Sequence, residues 1–527
     1  MLIPFNSSSA TWHRGLIVRA CKVCKPIKLL ACFWFLLGVL LAGCDPAAIA
    51  ADPVIRMGLV QPPSSLDPRY ATDAISSRLC RLIYRGLVDF DDQLMPVPDL
   101  ATWQLLTPNH YRFELVTAVP DFSDGQPLTS ADVVATYRSV MAPGSRSAHG
   151  ANLSGVDRIE VVDARTIDFH LKKPDPLFPG RLSLKILPER LAQQERIAVE
   201  ELVGNGAFKI VNWPQPEQVM LERRADGQRV EFLRVADATV RALKLIRGEV
   251  DLLQNDLPPE IIAWLAEQPG IEIGYAEGSN YSYIGFNLQD PVTGDPRIRE
   301  AVALAIDRQA IIDALLAGAA RPAESILPAQ HWAGVADLPT TEFNPARSAE
   351  LVAEFVAQGG DPTIVYKVST DALRLRIAAV IQQQLEAVGL TVEIQSHEWG
   401  TFYGDIKAGR FQLFSLAWVG VKMPDIFRHL FHSESLPPQG ANRGRFVNPE
   451  VDRLIDLAEA APIDRQPEAY GQIQKIIAQQ RPYVSLWYEN HTLVTRSGVS
   501  GYQVSRDGNY DGLITVNKQL TEVAADD

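Results

Sequence analysis

The chain has 527 residues, 46% of them hydrophobic and 21% charged, with a net charge of −13. This is a globular composition with apolar material for more than one core, and the length suggests two or three domains or two large lobes. The acidic balance argues against a nucleic-acid partner, because phosphate binding needs clustered Lys and Arg.

The first 43 residues differ from the rest. They carry Arg14, Arg19, Lys22, Lys25 and Lys28, hold no acidic residue, and run into an apolar stretch from Leu29 to Ala42. A basic start, a short apolar run and small residues at its end predict a secretory signal peptide over residues 1–43. The run is too short for a membrane-spanning helix, and no later stretch is long and apolar enough to be one. It closes on Leu41-Ala42-Gly43-Cys44, which resembles the bacterial lipobox, so lipidation of Cys44 and a membrane anchor are expected. The n-region is long, and a start codon downstream of Met1 would give the same mature chain. Without residues 1–43, 45 Lys and Arg face 63 Asp and Glu, a net −18 that suits solubility. Cys21, Cys24 and Cys32 leave with the signal, so a lipidated Cys44 leaves Cys80 as the sole thiol and excludes an internal disulfide.

In chain order, Ser123-Asp124-Gly125 predicts a turn, and Thr129-x-x-Asp132 has capping-box spacing for a helix through Met141. Short strands follow at Arg158–Val162 and Thr166–Leu171. Asp295 and Pro296 open a helix whose apolar face is Ile298, Val302, Ala305 and Ile306. Asn344-Pro345 opens another, stopped by Gly359-Gly360. Thr363 to Ser369 reads as a strand, Asp371 to Val388 as a helix ended by Gly389, and Leu390 to Ile394 as the next strand. A short helix over Gly400 to Ala408 leads to a strand over Phe411–Trp418, two helices from Asn448-Pro449 and Gln466 to Gln480, and a strand over Tyr483–Tyr488. That rhythm means βαβ units and a sheet covered by helices.

Several segments carry a resemblance. Ser65-Leu66-Asp67-Pro68, Ile83-Tyr84-Arg85-Gly86-Leu87-Val88, Pro98-Asp99-Leu100-Ala101 and the stretch from Phe122-Ser123-Asp124-Gly125 to Val133 are similar to the opening of family 5 extracellular solute-binding proteins. Gly204-Asn205-Gly206-Ala207-Phe208-Lys209 resembles a family loop, with Ala207 where proline is usual. Tyr283-Ile284-Gly285-Phe286-Asn287, Ala305-Ile306-Asp307-Arg308, Glu398-Trp399-Gly400-Thr401-Phe402 and Trp418 continue the match in order.

The resemblance implies an α/β, two-lobed periplasmic-binding-protein fold of type II, in the large cluster with an extra N-lobe subdomain, closing about a hinge. It implies an N-terminal lobe over 44–285, a second lobe over 286–489 and a return over 490–527. The chain would cross near Tyr281–Asn287 and again near Glu489–Thr495. It further implies a non-catalytic, monomeric substrate-binding component of an ABC importer, without a cofactor. Such a component captures a peptide or peptide-like solute in the periplasm and passes it to the transmembrane permease. Asp45, after Cys44, points to the inner membrane under the sorting rule of enterobacteria-like Gram-negatives. Other members bind metal chelates, haem or sugars, so membership leaves the ligand open. An exported enzyme or chaperone-like factor on the same scaffold is the alternative of another class, although no hydrolase, zinc-protease, nucleotide or dinucleotide fingerprint is present.

For the ligand site, the resemblance places Trp418 on the cleft as an aromatic wall. Ser415 stands where oligopeptide binders can have arginine. Val421 stands where peptide binders usually carry the aspartate that pairs with a free α-amino group, so weak binding of ordinary dipeptides is expected unless Asp425 does that work. Tyr281, Tyr283, Trp399 and Tyr403 are candidate pocket edges. His429 and His432 have helical i,i+3 spacing, but no third metal ligand is evident and no metal site is expected.

Overall fold

The computed structural model describes residues 54–215 and 217–519. The signal segment, Cys44 and residues 520–527 lie outside the described residues. One sheet runs through the molecule. Its strand order is Thr391–His397, Thr363–Ser369, Leu413–Trp418, Ile271–Phe286, Tyr483–Arg496, Leu252–Gln254, Ile55–Leu59, Arg229–Arg234, Gln218–Arg223 and Phe208–Gln215, with Ala320–Pro322 paired beside the fifth.

Two long strands occupy the middle. Ile271–Phe286 and Tyr483–Arg496 pair antiparallel from Ile271 opposite Arg496 to Ala276 opposite His491. The ladder then breaks and resumes at Asn280 opposite Glu489. Gly278 lies in the break, where a Cβ would stand 2.1 Å from the Glu489 carbonyl oxygen. Only glycine lets the two backbones approach that closely. The last strand is much longer than the expected Tyr483–Tyr488. Residues 489–496 are polar enough to read as a loop, yet His491–Arg496 pair with Ile271–Ala276 on one side, and Leu493–Thr495 pair with Leu252–Gln254 on the other.

Beyond the long strands, the parallel pair Thr363–Ser369 and Thr391–His397 flanks the helix Ala372–Glu386, as the βαβ pattern predicts. The Asp371 carboxylate caps that helix by accepting the Arg374 N–H at 2.9 Å, and Gly389 follows its end at φ +97°. Separate apolar clusters pack this part of the sheet. One contains Ile298, Val302, Ile377, Ile381 and Leu385; the other contains Phe402, Phe427, Leu454 and Tyr470. The strand Ile271–Phe286 gives Ile284 and Phe286 to the first and Tyr281 and Tyr283 to the second, the two-residue alternation of a strand. The predicted face Ile298, Val302, Ala305 and Ile306 is wholly buried.

The first half holds a second, four-stranded antiparallel sheet in the order Ala101–Thr107, His110–Leu115, Thr166–Leu171 and Val156–Val161. The helix Ser130–Met141 covers it, and Phe113, Val133, Tyr137, Phe169 and Phe178 form the core between them. The helix starts where Asp132 accepts from the Thr129 N–H at 2.7 Å and its hydroxyl at 2.9 Å. Cys80, buried against Ile75, Leu79 and Ile83 in another core, is the one cysteine among the described residues and is free. Stability therefore comes from apolar burial, worth roughly 1.5–3 kcal/mol for each fully buried large side chain.

Candidate functional site

The strand Leu413–Trp418 carries Trp418 to its end, where the indole is half-buried. The guanidinium of Arg443 lies over this ring, 4.9 Å from its centroid, and over the Tyr403 ring at 5.4 Å. It donates to the Tyr283 hydroxyl at 3.0 Å and the Tyr403 hydroxyl at 3.2 Å. Tyr283 stacks on Tyr483 at 4.3 Å and on Tyr281 at 5.7 Å, and the Tyr281 hydroxyl lies 2.7 Å from the Ser485 hydroxyl. Burial pushes both phenols, Tyr281 and Tyr283, above the usual tyrosine range, so they stay neutral hydrogen-bonding groups at ordinary pH. The result is a rigid aromatic wall around a buried arginine. Among the described residues no carboxylate pairs with that arginine.

The loop after Trp418 leads to the opposite wall. Lys422 reaches Asp507 at 2.8 Å and lies over the Phe90 ring. Burial alone would raise the Asp507 carboxyl, but Lys422 and Arg81 together hold it well below the usual carboxylate range. Asp425 pairs with Arg181 at 2.9 Å, and Arg181 also holds Asp175 at 2.7 Å. Met423 packs over Gly180 so closely that a Cβ there would meet its sulfur at 2.4 Å. Between these contacts lies a cavity of ≈ 220 Å³, lined by Pro68, Arg81, Phe90, Lys185 and Lys422 among others. A wider recess of ≈ 650 Å³ adjoins it, sharing Asn152 and Arg181 and lined by Asp425 and His429. The Arg181–Asp425 pair stands at the junction.

The residues expected from sequence fall into three groups. Trp418, Tyr283 and Tyr403 converge on Arg443, with Tyr281 behind them. Asp425 lines the wider recess, but its carboxylate is engaged by Arg181. Trp399 stacks on Tyr403 at 5.5 Å and is 55% exposed, while Ser415 is half-buried in its strand and Val421 packs against the aromatic core. The two histidines diverge: His429 meets the Trp418 ring edge-on at 6.2 Å, and His432 accepts the Glu434 N–H. Arg443, Lys185, Lys422 and Arg181 escaped sequence reasoning, because what marks them is which partners they have or lack in three dimensions. A metal-capable group does exist among the described residues, formed by His110, Asp168 and His170 on the four-stranded sheet, with ligand atoms within 4.8 Å of one another. Arg112 takes both Asp168 oxygens at 2.8 Å, so that carboxylate is already paired with a cation.

A cleft between packed walls, beside two long strands that share a broken ladder, is the architecture of a two-lobed binding protein. Residues 96–435 match the bacterial extracellular solute-binding proteins, family 5 (middle region), and the chain belongs to that family. It is 25% identical to the oligopeptide-binding protein AppA of Bacillus subtilis over 484 residues, covering 85% of this chain and 88% of that one. It is 26% identical to the glutathione-binding protein GsiB of Pectobacterium atrosepticum over 487 residues, covering 88% and 93%. Among solved structures, HbpA2 of Haemophilus parasuis superimposes with a TM-score of 0.78 at 24% identity, covering 89% of this chain and 100% of that one.

Proposed function

We propose that the chain is the receptor of an ABC importer for a small peptide or peptide-like solute, acting by capture and release without catalysis. The cavity under the Lys422 loop, adjoining the wider recess lined by Asp425 and His429, is the observation that carries this reading. Its ≈ 220 Å³ lies below the roughly 300–1,000 Å³ of ordinary ligand pockets, which favours a short solute, with the adjoining recess as room for a longer one. Relatives named for oligopeptides and glutathione support the peptide class. In this reading the lobes are residues 44–285 with 490–527, and 286–489. They move about the broken ladder at Ala276–Asn280 and Glu489–His491, and the closed form docks on the permease. A lipid on Cys44 holds the monomer at the periplasmic face of the cytoplasmic membrane.

Native mass spectrometry of the purified protein tests the receptor: a stoichiometric small molecule should be retained, and re-adding it should raise the melting temperature. Conversion of that molecule into a product would replace the receptor with an enzyme. For the anchor, Cys44→Ser should move the protein from the membrane to the soluble fraction.

A further inference from the structure

The charges that face the ≈ 220 Å³ cavity do not balance on its surface. Four cations line it, Arg81, Arg181, Lys185 and Lys422, against one carboxylate, Asp89. Three of the four are occupied. Arg81 is held by Asp89 at 2.7 Å and Asp511 at 2.8 Å, Arg181 by Asp175 and Asp425, and Lys422 by Asp507. Lys185 is the exception. No carboxylate comes within salt-bridge distance of its ammonium among the described residues. The acids that act on it from farther away, Asp89 and Asp99, are engaged by Arg81 and Arg85. Burial accordingly pushes the Lys185 amine below the usual lysine range, with Arg81 and Lys422 adding to the effect and the two acids only opposing it.

A partly desolvated ammonium without an anion is costly, and the cost disappears when an anion arrives. On the other wall, Arg443 is also buried without a carboxylate partner among the described residues. Val421 brings no negative charge to the loop that carries Lys422, and Asp425 is taken by Arg181. A solute's α-ammonium therefore meets cations and no free acid. We infer that Lys185 receives a carboxylate of the solute, so that the cleft selects its ligand by an acidic group and not by a free amino terminus. This rests on the receptor reading and names the polarity of the same site.

The test uses the full mature domain and matched probes: a di- and a tripeptide, each as the free peptide, the N-acetyl peptide acid and the C-terminal amide. Affinities are measured calorimetrically for the wild type and for Lys185→Gln. The expected result is that N-acetylation changes affinity less than threefold and amidation lowers it at least tenfold. In Lys185→Gln the acid-to-amide ratio should collapse toward one. A lysine that only supported the fold would leave that ratio unchanged, which would overturn the inference, as would equal binding of acid and amide or loss of binding on acetylation. If none of the probes binds to protein shown by native mass spectrometry to be empty, the peptide reading fails and takes this one with it. Equal binding of acid and amide defeats only the charge assignment.

Discussion

The two walls of the cleft are built on different physics. On the Trp418 side, the surface is the end of a paired strand, and its side chains are held by ring stacking and by the Arg443 guanidinium. On the Lys185 side, the surface comes from loops and short elements near Gly86 and Ser183, and ion pairs hold it: Arg81 with Asp89 and Asp511, and Arg181 with Asp175. Aromatic rings supply contact area with little dependence on chemical detail, whereas the charged groups, Arg443 among the rings included, discriminate by the sign of what they meet. The loop Val419–Asp425 joins them, since Lys422 and Asp425 pair with residues opposite the aromatic wall.

The largest expected effect comes from disturbing the strands beside the cleft instead of either wall. A side chain at Gly278 would strike the Glu489 carbonyl. Gly278→Val should therefore cost more than about 3 kcal/mol in urea unfolding, the upper range for overpacked sites. Unchanged stability would mean that the two backbones are not locked together there.

Acid should act next. His331 donates from Nε2 to the Lys422 carbonyl at 3.0 Å, and its Nδ1 accepts the Ala333 N–H at 2.9 Å, an assignment that follows from the two partners. Burial pushes its pKa down to about 4, with the Lys422 hydrogen bond opposing the shift. The unfolded chain takes up this proton near pH 6.5 and the folded one only near 4. Stability should thus fall as pH drops from about 6.5 toward 4 and level off below, by on the order of 3 kcal/mol from this group. In His331→Asn that part of the slope should vanish; an identical pH profile would remove His331 from the account.

Breaking the aromatic wall comes third. Trp418→Ala should weaken binding of the retained solute by roughly 30-fold, about 2 kcal/mol, with a smaller loss of fold stability because the indole is only half-buried. A fall in stability with unchanged affinity would make Trp418 a core residue.

Legibility in the sequence follows the same divide. The helices at Asp295, Asn344 and Asp371 announce themselves because an acid or amide cap, a proline or a terminal glycine is a local signal, and the structure has all three. The strand beyond Tyr488 was hidden, since Glu489, Asn490, His491 and Thr492 are strand residues only by virtue of their neighbours in the sheet, Asn280, Ala276 and Tyr275 on one side and Ala319 and Ala320 on the other. Trp418 and Val421 were visible through their family positions. Lys185 was not, because an unpaired lysine differs from a paired one only in what surrounds it.

The smallest effect separates closure from stability. Arg181 and Asp425 are each about a quarter to a third exposed, and such pairs are worth roughly 0–1 kcal/mol. Asp425→Asn should leave the melting temperature nearly unchanged. Yet this pair and Lys422–Asp507 are, among the described residues, the ion pairs that tie the Val419–Asp425 loop to the wall opposite, so losing one should open the cleft more often. The expected signature is faster solute release at an unchanged association rate in stopped-flow fluorescence of Trp418. If Asp425 served as the partner of a ligand ammonium, the same substitution would instead abolish binding, and Arg181→Gln would not.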